Sequence, residues 1–393
     1  MKKVIITDLL ILAVFGSTCF WSVKKDRLTA SVDKILTEQT SEAEEILVLT
    51  SSNLAKKNGQ IGETQMSENA DKASEENTTK DYIKWVDFTV SKFALTESYE
   101  YDRDTYGTDR HISWIDLLAW TAAHTGGKFG DDRTVCKCME ELEMEAEAGK
   151  KLEELTEDLE YFPYYREVYE TVLGGMVGEY EIEEPDAQGR KVTQKRYGLK
   201  AFHPIAKGFP YTDYDDFGAS RSYGYRREHL GHDMMGQVGT PVVCVESGYV
   251  EALGWNQYGG WRIGIRSFDK KRYYYYAHLR QGFPYQPELK EGSVVLAGDV
   301  IGYMGHTGYS TKEDVNNIDQ THLHVGMQLI FDESQKDSDN EIWIDCYQIM
   351  GFLYRNQSET ARNDETKEWR RIYEMKDPAA EKYERTLDFS MYP

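Results

Sequence analysis

The chain of 393 residues reads as α+β: a small α-helical domain followed by an antiparallel all-β domain with a sheet groove. Three observations predict this. Between Tyr82 and Tyr180 apolar side chains recur at helical spacing; after the polar turn Glu184-Pro-Asp-Ala-Gln-Gly189 they alternate in short runs separated by Gly- or Asp-rich turns. Six of the nine histidines then fall between His229 and His324, inside the second texture. The length suggests roughly two folded units plus tails.

Taken in order, residues 1–27 are expected to be a signal anchor or transmembrane segment. Lys2 and Lys3 precede an apolar run from Val4 to Val23, closed by Lys24-Lys25-Asp26-Arg27. Counted through Asp8 the run is long enough to span a bilayer; counted after it, it is nearer a secretory signal core. Both readings export the remainder, membrane-bound if the segment stays and secreted if it is cleaved. Residues 28–80 hold ten acidic and five basic side chains among Ser, Thr, Asn and Gln, a composition that buries too little to offset ordering, so a flexible acidic linker is expected.

Residues 81–183 are read as the helical domain. Ser113-Trp-Ile-Asp116 is a capping box, and the helix it opens should end near Gly126-Gly127. Leu152, Leu155, Leu159 and Phe162 form one stripe, expected to stop at Pro163, and Tyr165, Val168, Tyr169, Val172 and Leu173 form another. The ten acidic residues between Met139 and Glu160 make a solvated helical face, because no D-x-D-x-D-G loop accompanies them. His111 and His124 read as structural. Residues 197–335 are the β-domain, with strands expected at Pro241–Val245, Gly248–Trp255, Trp261–Phe268, Arg272–Ala277, Val300–Met304 and His322–Phe331. The tail, 336–393, is expected to be a helical extension with a helix start near Asp345 and no chemistry of its own.

Composition excludes several functions. With 46 basic against 68 acidic side chains the net charge is −22, which works against nucleic acid and anionic lipid as direct partners. The five cysteines, an odd number without C-x-x-C spacing, suggest neither a disulfide framework nor a cysteine zinc site.

The histidine contexts point to a metal instead. In a strand, residues i and i+2 share a face, so His322 and His324 point one way while Leu323 and Val325 point into the core. His229 and Asp233, separated by a turn containing Gly231, can converge on one point, and a third ligand from the distant strand would complete a nitrogen and oxygen donor set. Three protein ligands leave a fourth position for water, as catalytic zinc requires. The remaining imidazole lies in Tyr276-Ala-His278-Leu279.

Over about residues 200–331 the chain resembles the lysostaphin/LytM-type zinc metallopeptidases. The likeness is carried by His229-x-Gly231-x-Asp233, Gly239-Thr240-Pro241-Val242, Gly248-Tyr-Val250, Tyr276-Ala-His278-Leu279, Gly292, Gly298-Asp299-Val300-Ile301-Gly302, Gly305-x-Thr307-Gly308-x-Ser310-Thr311 and His322-Leu-His324, with Tyr223-Gly-Tyr-Arg226 upstream. The resemblance implies a duplicated hybrid motif fold and one zinc ion per chain, held by His229, Asp233 and His324. It implies His278 and His322 as catalytic residues, one acting as base, and peptide bonds of bacterial peptidoglycan as substrate. The ten residues between Thr311 and His322 exceed the family's short link, so a reshaped groove wall is expected. Val325-Gly326-Met327 replaces the usual aromatic-Glu after the last histidine. His232 reads as a residue surrounding the site or at the surface, with an alternative ligand as the other reading, His306 as structural or substrate-facing, and Tyr223 and Tyr225 as packing aromatics that could also support an oxyanion. The competing expectation is a non-catalytic domain of the same fold that acts as scaffold or regulator of other wall hydrolases in a membrane complex.

Overall fold

The computed structural model describes residues 83–390 apart from 85, 87, 224, 337 and 339. The anchor expected at 1–27 and the linker expected at 28–80 lie outside the described residues. No helix among the described residues is long and apolar enough to cross a membrane.

Helix α1 (Lys92–Thr105) begins where the Ser91 hydroxyl accepts from the Ala94 amide at 3.1 Å. Helix α2 (Trp114–Thr125) opens on Ser113, which accepts from the Asp116 amide at 3.2 Å, and stops at Gly126, whose φ of 64° is the left-handed conformation that suits glycine. Because α2 is apolar nearly all round, it forms the buried centre of the helical layer, with Leu117, Leu118, Ala119 and Ala122 sealed from solvent. Helix α3 (Asp132–Glu147) buries Val135, Met139 and Leu142. Helix α4 (Leu152–Thr156) is short, and α5 (Phe162–Leu173) follows. The stripe from Leu152 to Phe162 is therefore not one helix stopped by Pro163, since Pro163 opens α5. A proline in a first turn lacks only an amide that has no intrahelical partner, so it can start a helix as well as end one.

Strands β1 (Val177–Pro185) and β2 (Lys191–Leu199) pair from Val177↔Leu199 to Pro185↔Lys191. The polar turn beginning at Glu184 is thus a hairpin tip, closed by the Asp186 carboxylate accepting from the Gln188 and Arg190 amides, each at 2.9 Å. The chain continues through β3 (Thr212–Asp213), β4 (Ser220–Tyr223), β5 (Tyr225–Glu228), β6 (His232–Met235), β7 (Pro241–Val243), β8 (Gly248–Asn256), β9 (Gly260–Ser267), β10 (Arg272–Ala277), β11 (Val294–Val295), β12 (Val300–Tyr303) and β13 (His322–Leu329). It closes with β14 (Ile342–Ile344), α6 (Tyr347–Leu353), β15 (Thr360–Arg362), β16 (Trp369–Arg371), β17 (Met375–Lys376) and α7 (Pro378–Ser390). The C-terminal segment holds strands as well as helices: β14 pairs with β13 and β17 with β1. These strands are only two or three residues long, too short for alternation to stand out.

The main sheet runs β11-β8-β9-β10-β13-β6-β3, and each of its neighbouring strands is antiparallel. Its two faces differ as period-2 geometry requires. Ile263, Ile265, Tyr274, Tyr276, Leu323, Val325 and Met327 share one apolar core with Leu117 and Leu173 of the helices and with Ile349 and Phe352 of α6. Residues Lys80–Pro393 accordingly form one compact unit. Arg272, wholly buried, helps join its layers: the guanidinium donates to Glu246 at 2.7 and 2.9 Å and to the Thr171 carbonyl of α5 at 2.6 Å. Gly175 makes the approach possible, because a Cβ there would lie 1.6 Å from a Glu246 carboxylate oxygen. The opposite face of the sheet is left open as a groove.

Candidate metal centre

Three elements meet at one end of the groove. His229 follows β5, Asp233 lies in β6, and His324 lies in β13 directly opposite Asp233 in the sheet register. Gly231 allows the bend between the first two: a Cβ there would stand 2.5 Å from the His324 ring and 2.8 Å from the Val325 carbonyl, so no other residue fits without displacing a candidate ligand.

The donor atoms form a nearly equilateral triangle. His229 Nε2 is 3.0 Å from Asp233 Oδ1 and 2.9 Å from His324 Nδ1, and the latter is 3.0 Å from Asp233 Oδ1. This His-Asp-His group has the ligand-atom spacing needed to hold a metal ion. The surroundings decide which lone pairs face inward. His229 Nδ1 lies 3.1 Å from the Asp216 carbonyl, so it carries the ring proton and leaves Nε2 unprotonated towards the triangle. Arg221 donates to Asp233 Oδ2 at 3.2 Å and also pairs with Asp216, leaving Oδ1 for the centre. Lone pairs held about this close repel unless a cation lies between them, and a set of two imidazoles and one carboxylate suits zinc. Burial opposes ionisation of Asp233, but its close contacts with His229 and His324 and the nearby His322 ring outweigh it and hold the carboxyl well below its ordinary range.

Two more imidazoles face the same cleft. His322 Nδ1 lies 2.8 Å from the Gln320 carbonyl and His278 Nδ1 lies 2.9 Å from the Thr307 carbonyl, so each ring proton is held there and Nε2 is left unprotonated. His322 Nε2 is 3.8 Å from Asp233 Oδ1, and the two ring centroids are 4.7 Å apart. His278 holds a left-handed backbone, φ 60°, with its amide N–H donating a hydrogen bond to the Gly259 carbonyl at 2.8 Å. Burial, with His322 and His324 adjacent, pushes the His278 pKa well down and keeps the ring neutral; burial lowers His324 in the same sense.

All five candidate site residues therefore line one cleft of about 480 Å³. Tyr274 and Tyr276 point into the core, while Tyr273 and Tyr275 line the cleft. The other five histidines stand apart: His232 bonds Asp213 at 2.9 Å, His306 the Ile318 carbonyl at 2.8 Å, His111 Asp102 at 2.8 Å and His124 the Trp120 carbonyl at 2.9 Å, and His203 accepts from the Ile205 amide at 3.1 Å. The Tyr223 and Tyr225 side chains lie outside the described ones. The long link before His322 is tied away from the centre, with Asp314 accepting from Trp261 Nε1 at 2.7 Å; its neighbour Tyr309 lines the cleft. The tail reaches the site too, through Trp343, Lys336 and Glu341. Asp216, Arg221, Thr307 and Gln320 orient the centre, and nothing in the sequence pattern marks them for it. Three of them act through backbone carbonyls, which leave no trace in side-chain identity.

Residues 227–338, which contain all five of these positions, match the family described as Peptidase family M23. The chain is 42% identical over 124 residues to the L-Ala–D-Glu endopeptidase of Bacillus subtilis (strain 168), covering 32% of this chain and 36% of that protein. It is 39% identical over 84 residues to lysostaphin of Staphylococcus simulans, covering 21% of this chain and 16% of that one. The chain thus spans about a third or less of the length of these relatives. The solved catalytic domain of lysostaphin from Staphylococcus simulans aligns over 36% of this chain and 92% of its own, with 29% identity and a TM-score of 0.28. With its His-Asp-His group and its antiparallel groove, the segment 227–338 matches Peptidase family M23 and resembles the domains of the lysostaphin/LytM type.

Proposed function

We propose that this protein is a zinc-dependent endopeptidase that hydrolyses peptide bonds in bacterial peptidoglycan. The observation that carries the proposal is the triangle of His229 Nε2, Asp233 Oδ1 and His324 Nδ1, flanked by two further imidazoles in the same cleft. These three atoms would hold the ion. When bound, zinc supplies Lewis acidity towards the scissile carbonyl and lowers the pKa of attacking water towards about 7. The chain's own contribution is proton handling. His322 and His278 each present an unprotonated Nε2; one accepts the proton of the attacking water as its oxygen bonds to the carbonyl carbon, and that proton goes on to the leaving amine nitrogen as the C–N bond breaks. The other orients the reacting groups and stabilises charge on the carbonyl oxygen.

The two named relatives, an L-Ala–D-Glu endopeptidase and a lysostaphin, support wall peptides as the substrate class. The apolar run Val4–Val23 supports tethering to the bacterial membrane with the peptidase domain on the outer side, or secretion if that segment is cleaved. Incubated with purified cell-wall material, the full chain should release new amino termini, lose that activity to a chelator and recover it with added zinc. His322→Ala should retain one zinc per chain while turnover falls by at least 10²-fold, as expected for loss of a proton-transfer group. A metal-loaded protein that releases no termini, with a cellular phenotype unchanged by His322→Ala, would instead favour the scaffold reading.

A further inference from the structure

Beyond the metal triangle, the cleft carries buried nitrogen donors that have no acceptor among the described residues. Arg227 is clamped between the rings of Tyr258 and Tyr309, 5.0 and 5.2 Å from their centroids, and its Nη2 donates to the Tyr309 hydroxyl at 2.9 Å. Its Nη1 is buried and, among the described residues, has no hydrogen-bond partner. The same is true of Arg262 Nη1 in β9, and of Gln328 Nε2 in β13, whose residue is only 2% exposed. All three side chains line the cleft.

Scarcity of carboxylates does not explain these unused donors. The chain has 68 acidic side chains for 46 basic ones, and the guanidinium groups of its most deeply buried arginines are matched, Arg272 with Glu246 and Asp269 and Arg266 with Glu333, as is that of the half-buried Arg221 with Asp216. A buried guanidinium left with an unused donor costs stability, and a ligand carboxylate is the partner that removes the cost, because its two oxygens match the planar fork.

Placement relates these donors to the chemistry. The last paired residues of β9 and β10 are Ile263 and Tyr276, so Arg262 comes next, beside Ala277, and Ala277 is paired with His324. Arg262, Ala277 and His324 thus form a row across three strands on the groove face. At roughly 4.8 Å per strand, Arg262 starts about 10 Å from His324, with only the Ala277 methyl between them. An extended peptide advances about 3.3 Å per residue, so a carboxylate one or two residues from a bond at the centre falls within reach of the Arg262 side chain.

We propose that Arg227 and Arg262 form a carboxylate-binding subsite beside the metal triangle, and that the peptide cut here bears a free carboxylate within one or two residues of the scissile bond. This rests on the endopeptidase reading above. Two synthetic peptides test it, both centred on alanyl-D-glutamate, one with the glutamate carboxylate free and the other with it converted to the carboxamide. The zinc-loaded full chain should cleave the free acid with a kcat/KM roughly tenfold or more above that of the amide, as a charge-assisted pair implies. Arg262→Gln should bring the ratio towards one, mostly through KM on the acid, and Arg262→Lys should keep part of the preference; zinc content and melting temperature verify that each variant is folded. An equal rate on both peptides, or a preference untouched by Arg262→Gln, overturns the subsite. If neither peptide is cleaved, the hydrolase reading fails for this bond, and equilibrium binding of the same pair decides the subsite alone. At least tenfold tighter binding of the acid, lost in Arg262→Gln, upholds it, and equal binding overturns it.

Discussion

Residues around the triangle do unequal work, and the supporting ones are the more informative. Arg221 touches no ligand atom of the triangle, yet by donating to Asp233 Oδ2 and pairing with Asp216 it fixes both the carboxylate rotation and the carbonyl that orients His229. Outer groups of this kind typically contribute 10- to 100-fold in metal affinity. Arg221→Ala should accordingly weaken zinc binding by about that factor in competition with a chelator, without loss of folded protein; an unchanged affinity would remove Arg221 from the centre's support. Legibility in the sequence follows the same division. His229, Asp233, His278, His322 and His324 stand out because their spacing is local and their chemistry specific. Asp216, Thr307 and Gln320 serve through main-chain oxygens, and Arg221 is one arginine among several before His229.

Among the elements, β13 carries the site because its alternation separates two tasks along eight residues. His322 and His324 face the groove while Leu323 and Val325, both inaccessible, face the core. Leu323→Ala should therefore cost about 2–5 kcal/mol of stability through the cavity it leaves, while zinc stoichiometry stays at one below the melting transition. Loss of zinc in folded Leu323→Ala protein would mean that the two faces are not independent. Period-2 alternation makes β7 to β10, β12 and β13 visible in the sequence alone. It fails where elements are short or defined by remote partners: β14 exists because β13 offers it an edge, and Pro163 reads as a stop or a start depending on which neighbouring turn packs. Ser113 and Gly126 are legible because capping chemistry is local.

For the molecule as a whole, the helices and the main sheet share one apolar core, and Arg272 bridges α5 to Glu246 from its interior. Stability of the groove is thus coupled to groups outside it, and His203 is one with a distinct pH signature. Its ring is wholly buried, with Nδ1 accepting from the Ile205 amide at 3.1 Å and Nε2 without a partner among the described residues, and burial pushes its pKa down from 6.5 to about 4. Above pH 6.5 the ring is neutral in both folded and unfolded chains, and it adds no pH dependence. As pH falls below that value the unfolded chain takes up a proton that the folded chain refuses until about pH 4, so the folded state loses up to ~1.4 kcal/mol per pH unit, on the order of 3 kcal/mol across the window. His203→Asn keeps an acceptor near the Nδ1 position and removes the titration. Denaturant unfolding of the two proteins between pH 7 and 4 should give a shallower loss of stability for the variant, with the curves parallel above pH 6.5. Parallel curves throughout would mean that the imidazole reaches solvent before the core opens, which its burial and the shared packing of helices and sheet argue against.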